Sequence, residues 1–420
     1  MSRSRSRVAS LLIASTSLLL AVLAMTVAAT LWDLETGSTP LIIQTDQFQI
    51  GDVSVRLEEA GVVASEESSL WIRALGPQPH VEVTWRGSGN HRRFDVRIEN
   101  LNLRAGRLML SPATRERARR GATLELVASL EEGPLEASLA IPPEAVAQGR
   151  FAVVGCTRSN RLIAPILRSF AAEAPLFVVH LGDVGQGGAY ESEALRNAFD
   201  ELGIPLFVAP GNHDRDPVTP KALTNFHRYL NPAPFAFLLA GQRFAILDVS
   251  DYPIARAQLI ELKGLAPAAR EWFFLHRSPI DPFGTGRALP RDSGVGELEE
   301  IVGSVDDART YAGHIQGFAE TTFGGHPFVL SSGGGEPVKE LADGFRAPDP
   351  YHYLLVPLDG GAPQRRPLPE PSWLPGIVSS ASIELPVFAR HLWAGIAAGG
   401  ALLAAWWWRR ERAAPDPVPT

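Results

Sequence analysis

The chemistry in this sequence rests on six polar residues: Asp183, Asn212, His213, Asp214, His276 and His314. Each closely follows a short run that reads as a buried strand. Residues 206–209 are Leu-Phe-Val-Ala; Pro210 and Gly211 end the run, and Asn212, His213 and Asp214 follow without a gap. The run at 176–181 leads to Gly182 and Asp183, the run at 271–275 ends in His276, and a later run ends in Gly313 and His314. Strand ends are where open α/β sheets usually keep their binding groups. Asp183, Asn212, His276 and His314 together offer one carboxylate, one amide oxygen and two imidazole nitrogens. Zinc, manganese or iron accepts that mixture. A single His at a strand end is more often a core or turn residue. Four such residues at successive strand ends, most of them beside a turn-former, are hard to explain as packing.

The intervening chain must place these residues side by side. From residue 149 the pattern alternates. Strand-like runs fall at 151–155, 176–181, 206–209, 235–239, 243–249 and 271–275, with helical spacing at 162–172, 191–202, 221–230 and 255–265. Alternation of this kind predicts a layered α/β fold with largely parallel strands. Residues 36–148 read differently. Apolar residues recur at every second position in Val81, Val83 and Trp85, in Phe94, Val96 and Ile98, and in Leu135, Ala137 and Leu139. That period predicts a small β-sandwich. It carries no evident chemistry, and the four arginines between Arg115 and Arg120 read as a solvated face.

Composition sets further bounds. A chain of 420 residues suggests two or three domains. A net charge of -7 argues against nucleic-acid binding through a basic surface. The single cysteine, Cys156, excludes an intrachain disulfide. Arg3, Arg5 and Arg7 precede an apolar run at 8–32, long enough to cross a bilayer and read as an uncleaved anchor, although Val27 and Ala29 would fit a signal-peptide cleavage site. A second apolar run, 386–408, ends in Trp406, Trp407 and Trp408, with Arg409, Arg410 and Arg412 beyond it. Basic residues outside both runs predict two cytoplasmic termini and a central region outside the cytoplasm, at the cell membrane. The expected order is an anchor or signal at 1–35, a β-rich module at 36–148, an α/β domain at 149–360, a Pro-rich linker at 361–385, a transmembrane helix at 386–408 and a cytoplasmic tail at 409–420.

Taken in order, Leu-Gly-Asp at 181–183, Gly-Asn-His-Asp at 211–214, the lone His276 and Gly313-His314 resemble the calcineurin-like metallophosphoesterases. The likeness spans residues 150–358, including Phe-Val-Leu-Ser-Ser-Gly-Gly-Gly at 328–335 and a closing strand at 351–356. It implies an α/β sandwich of two central sheets flanked by helices, here preceded by the β-rich domain and flanked by the transmembrane helices. It also implies two divalent metals about 3.5–4 Å apart that bind phosphate oxygens and activate a water. By resemblance, Asp183 bridges both metals, and Asn212, His276 and His314 complete the shell of the second. His213 is the acid toward the leaving group, and Asp214 orients its imidazole.

The first metal's ligands depart from the family pattern. Where the family has Asp-x-His, residues 156–158 read Cys-Thr-Arg; where it has Gly-His-x-His, Gln316 replaces the last His. Of that metal's four expected ligands only Asp183 remains. Arg158 stays protonated and is a poor ligand, but its fork suits a phosphate oxygen. Cys156 reads as a small residue filling the strand end rather than as a thiolate on a soft metal. The expectation is a membrane-tethered hydrolase of a phosphate ester, with one manganese, iron or zinc ion and Arg158 supplying the missing positive charge. The competing expectation is a catalytically weak or inactive phosphate-binding or interaction protein.

Overall fold

The computed structural model describes residues 41–87, 93–158, 161–216, 219, 222–336, 350–371 and 377–378. Both long apolar runs, and with them the expected membrane segments, lie outside the described residues. Among the described residues no helix is long and apolar enough to cross a membrane.

Strict alternation builds the first half. Its strands are β1 (Ile43–Gln44), β2 (Gln47–Ile50), β3 (Val53–Glu58), β4 (Ala60–Glu66), β5 (Ser69–Ala74), β6 (His80–Trp85), β7 (Arg93–Glu99), β8 (Arg107–Leu110), β9 (Thr114–Arg120), β10 (Thr123–Ser129) and β11 (Leu135–Ala140). They form one sheet in the order β1-β4-β5-β7-β10-β9 and another in the order β2-β3-β6-β11-β8. Val53, Val55, Val81 and Val83 of one sheet share a core with Leu70, Ile72, Phe94, Val96 and Leu126 of the other. The polar residues between them face outward, as a half-buried strand requires. This is the expected sandwich.

A short helix, α1 (Pro143–Ala147), leads into the second half. There the elements are β12 (Arg150–Val154), α2 (Ile163–Glu173), β13 (Val178–His180), α3 (Ala189–Leu202), β14 (Leu206–Val208), α4 (Thr224–Tyr229), β15 (Phe235–Leu239), β16 (Gln242–Ile246), α5 (Arg256–Gly264), β17 (Arg270–Leu275), α6 (Gly296–Gly303), β18 (Ala308–Ala312), β19 (Phe318–Phe323), β20 (His326–Ser331), β21 (His352–Pro357) and β22 (Gln364–Pro367). One sheet runs β14-β13-β12-β21-β22 and the other β15-β16-β17-β18-β20-β19. Strands β12, β13 and β14 are mutually parallel, as are β16, β17, β18 and β20. The antiparallel partners lie toward the edges.

Between the two sheets lies an aromatic core of Phe151, Phe177, Phe207, Phe237, Phe244, Trp272, Phe274 and Tyr311. Ile166 and Phe170 of α2 and Leu195 and Phe199 of α3 cover the outer face of one sheet. Leu259 of α5 and Leu298, Ile301 and Val302 of α6 cover the other. With both faces buried, the central strands read as continuous apolar runs rather than alternating ones.

Two sequence expectations change. The stretch read as a linker from residue 361 begins with β22, which pairs antiparallel with β21. Pro363 and Pro367 disguised it, yet an edge strand tolerates proline because one side has no ladder to supply. The seam near residue 148 is not a boundary between separate cores: Leu75, Ile141 and Val146 belong to the same apolar cluster as Phe151 and Phe177.

Candidate metal centre

Three parallel strands hand over their functional residues through left-handed backbone. Cys156 follows β12 with φ 57°, Asp183 follows β13 with φ 55°, and His314 follows β18 with φ 69°. For non-glycine residues this conformation costs about 1–2 kcal/mol each. Such strain gathers where side chains must point to one place. The loops after β13 and β14 touch backbone to backbone: a Cβ on Gly211 would stand 2.3 Å from the Asp183 nitrogen. Glycine before Asn212 is therefore a packing requirement.

Asp214 locks these two loops. One carboxylate oxygen accepts the N–H groups of Asp183 and Gly211, each at 2.8 Å; the other accepts those of Val184 at 2.7 Å and Gly185 at 3.4 Å. This corrects the expected role. The carboxylate is committed to four backbone donors and not to the His213 ring. The side chain placed in the acid machinery by sequence shapes the Asp183 loop instead. Burial and the neighbouring Asp183 push its pKa up to about 6, against the pull of those N–H bonds.

The four residues expected on the second metal do converge. His276 Nε2 lies 3.1 Å from Asn212 Oδ1, 3.1 Å from His314 Nδ1 and 3.3 Å from Asp183 Oδ1. The other ring nitrogen of His276 lies 2.7 Å from the Leu181 carbonyl, which can only accept, so Nδ1 carries the proton and Nε2 presents a lone pair. That lone pair faces the oxygens of buried Asp183 and of partly exposed Asn212. Acceptors that face one another repel, and a divalent cation between them would reverse the sign; His314 Nδ1 joins them as an acceptor in its Nε2-protonated tautomer. Burial holds His276 down to about 4 and His314 down to about 2, so both rings are neutral near pH 7, the form that ligates. Asp183 is pushed up to about 6, first by burial, against the His213 N–H that reaches its Oδ1 at 3.0 Å. The donor set fits a borderline divalent ion.

The neighbouring position offers fewer ligand atoms. Arg158 Nη1 donates to Glu336 Oε1 at 2.9 Å and Nη2 to Gln186 Oε1 at 3.2 Å. Sequence cast Arg158 as the positive charge replacing the missing ion, its fork free for a phosphate oxygen; the structure pairs that fork with the buried Glu336 carboxylate. Cys156 Sγ lies within 4.8 Å of ligand atoms of Asp183 and His276. Its thiol is nevertheless driven well above the ordinary range by burial, then by Asp183 and Glu336, and it contacts Ser332 Oγ at 3.3 Å. That shift belongs to the metal-free site; a bound divalent ion would lower the thiol pKa, and Cys156, Asp183 and His276 together form a candidate metal-holding triad. Gln316 Oε1 accepts a bond from Arg287 Nη1 at 2.9 Å.

His213 is half-buried at the rim, with its imidazole pKa lowered by burial and partly restored by Asp183. Glu336, Arg277 and Arg287 were not singled out from sequence. Arg277 follows His276 directly, and that adjacency was the one available signal. The other two sit in loops without periodicity.

Residues 149–302 match the sequence model described as calcineurin-like phosphoesterase. This segment is a calcineurin-like phosphoesterase domain. The match takes in Asp183, Asn212, His213, Asp214 and His276, whereas His314 lies beyond it. No curated protein matches the chain. Among solved structures, the purple acid phosphatase of yellow lupin (Lupinus luteus) seeds is 14% identical, with 67% of each chain covered and a TM-score of 0.42. A dimetal phosphatase from Danio rerio is 14% identical over 53% of this chain and 98% of its own, with a TM-score of 0.36. The phosphoesterase domain thus owes its assignment to the sequence model.

Proposed function

We propose that the domain hydrolyses a phosphate ester with a single divalent ion held by Asp183, Asn212, His276 and His314. The carrying observation is the convergence of three ligand atoms on the unprotonated Nε2 of His276. A divalent ion of the manganese, iron or zinc type would polarise a phosphoryl oxygen and acidify a water there. Asp183 supplies the anionic ligand, and Asp214 fixes its loop. His213, half-buried beside Asp183, stands on the leaving-group side and donates a hydrogen bond or proton to the departing oxygen. Arg158 fills the place of a second ion with a guanidinium already balanced by Glu336, so a second divalent cation meets a positive group and no free carboxylate.

Metal content and turnover test this reading together. The purified protein is expected to bind one manganese or zinc per chain and to hydrolyse model phosphate esters. His213→Ala is expected to lower turnover by about 10²–10⁴-fold, the usual reach of a positioned acid. Two tightly held ions per chain would overturn the single-ion site. Turnover near zero and indifferent to His213→Ala would favour the non-catalytic alternative.

We also infer that the domain is tethered to a membrane by the segments at 8–32 and 386–408, with its site outside the cytoplasm. The support is their length, their apolar character and the arginines on their outer sides. In sealed vesicles of cytoplasmic-side-in orientation, added protease should degrade the phosphoesterase domain; full protection would refute the orientation.

A further inference from the structure

Around the surviving shell stand guanidinium groups that differ in one respect. Arg158 has a carboxylate partner, Glu336. Arg215 reaches Asp251 at 3.2 Å. Arg277 and Arg287 have no carboxylate within ion-pair distance among the described residues. Arg277 is half-buried directly after His276; its guanidinium lies 5.5 Å from the Tyr252 ring, and its Nε is buried without a hydrogen-bond partner. Among the described residues the Arg287 guanidinium makes one bond, to Gln316 Oε1, and the Gln316 amide nitrogen has no partner, although Gln316 is only 4% exposed.

Removing a charge from water without a counter-charge is costly, and buried donors are rarely left unpaired. Here, among the described residues, two guanidinium groups without an ion-paired carboxylate and two orphan donors lie at His276 and at the loop carrying His314 and Gln316. Arg277 directly follows His276, and Arg287 bonds Gln316 two residues beyond His314, so these groups lie beside one site. This constellation wants an anion with several oxygens and more than one charge.

We propose that Arg277, Arg287 and Gln316 form an anion clamp that selects a terminal phosphoryl group, a phosphate monoester rather than a diester. A monoester dianion offers three non-bridging oxygens to the two forks and the amide; a diester offers two oxygens and one charge. This inference rests on the phosphoesterase reading for its site but not on turnover for its test.

Binding to the full chain in detergent, stripped of metal by a chelator, separates the two. Methyl phosphate is expected to bind about tenfold tighter than dimethyl phosphate, the difference that one additional charge-assisted hydrogen bond supplies. Arg277→Met and Arg287→Met keep much of the apolar stem and should each abolish that preference. Arg277→Met should also lose the stabilisation by methyl phosphate seen in the parent. Equal affinity for the two esters overturns the clamp, as does full retention of the preference in both variants. Turnover lost with the preference intact would sink the hydrolase reading alone, whereas turnover intact without any preference would sink the clamp alone.

Discussion

His180 shows how closely a residue under the site is specified. Its Nδ1 accepts the Gly182 N–H at 3.1 Å, so Nε2 carries the proton toward Thr157 Oγ1 at 3.0 Å, and that hydroxyl turns to the Val184 carbonyl at 3.3 Å. One neutral tautomer thereby fixes both sides of the Asp183 loop. Burial lowers its pKa to about 3, with His276 adding to the effect. The depressed value defines the sign. The neutral form stabilises the fold above the unfolded value near 6.5. That contribution is lost as pH falls toward 3, because only the unfolded chain takes up the proton. His180→Asn removes this titration. Between pH 6 and 4 its urea-unfolding free energy should fall less steeply than the parent's by about 1.4 kcal/mol per pH unit, one proton's worth. Parallel slopes would refute the assignment.

At the scale of elements, the open edge of β14 explains why the site loops hold still. Asn100 accepts the Leu206 N–H at 2.7 Å and donates to the Leu206 carbonyl at 3.1 Å; Asn231 does the same for Val208 at 2.9 and 3.0 Å. Two side-chain amides thus complete the ladder of an edge strand that leads directly into Asn212. None of this was legible in sequence, since an asparagine 106 residues away carries no period. What was legible had a repeating physical cause. Alternation marked β6, β7 and β11, and continuous apolar runs marked β12 to β14 and β17. The turn-formers after those runs marked Asp183 and Asn212, and the end of the run at 271–275 marked His276. Asp214 was placed correctly beside the site but given the wrong partner, because spacing cannot distinguish a ring N–H from four backbone donors. Arg277, Arg287 and Glu336 were missed because their significance lies in which of them has a counter-charge, a property of three-dimensional pairing.

Across the whole molecule, the β-sandwich is part of the scaffold that supports the site. Arg73, fully buried on β5, donates to the Leu230 carbonyl at 2.9 Å and to Asp200 on α3 at 3.2 Å. Asn102 donates to the Leu176 carbonyl at 2.9 Å, and the Ala122 N–H reaches the Asp200 carbonyl at 2.6 Å. Leu75, Ile141 and Val146 close the bottom of the aromatic core. Cutting the chain at 148 would expose that apolar surface, worth about 1.5–3 kcal/mol per large side chain. It would also strip partners from buried groups on β14 and α3, at about 1–3 kcal/mol each. The sum approaches the whole stability of a typical domain. Residues 149–371 produced alone should therefore be aggregation-prone and lack a cooperative urea transition, whereas residues 41–371 should unfold in one step. A soluble 149–371 fragment with the longer chain's transition midpoint would show that the sandwich is an independent appendage, and the buried Arg73 and Asn100 contacts would then contribute little to holding the metal centre.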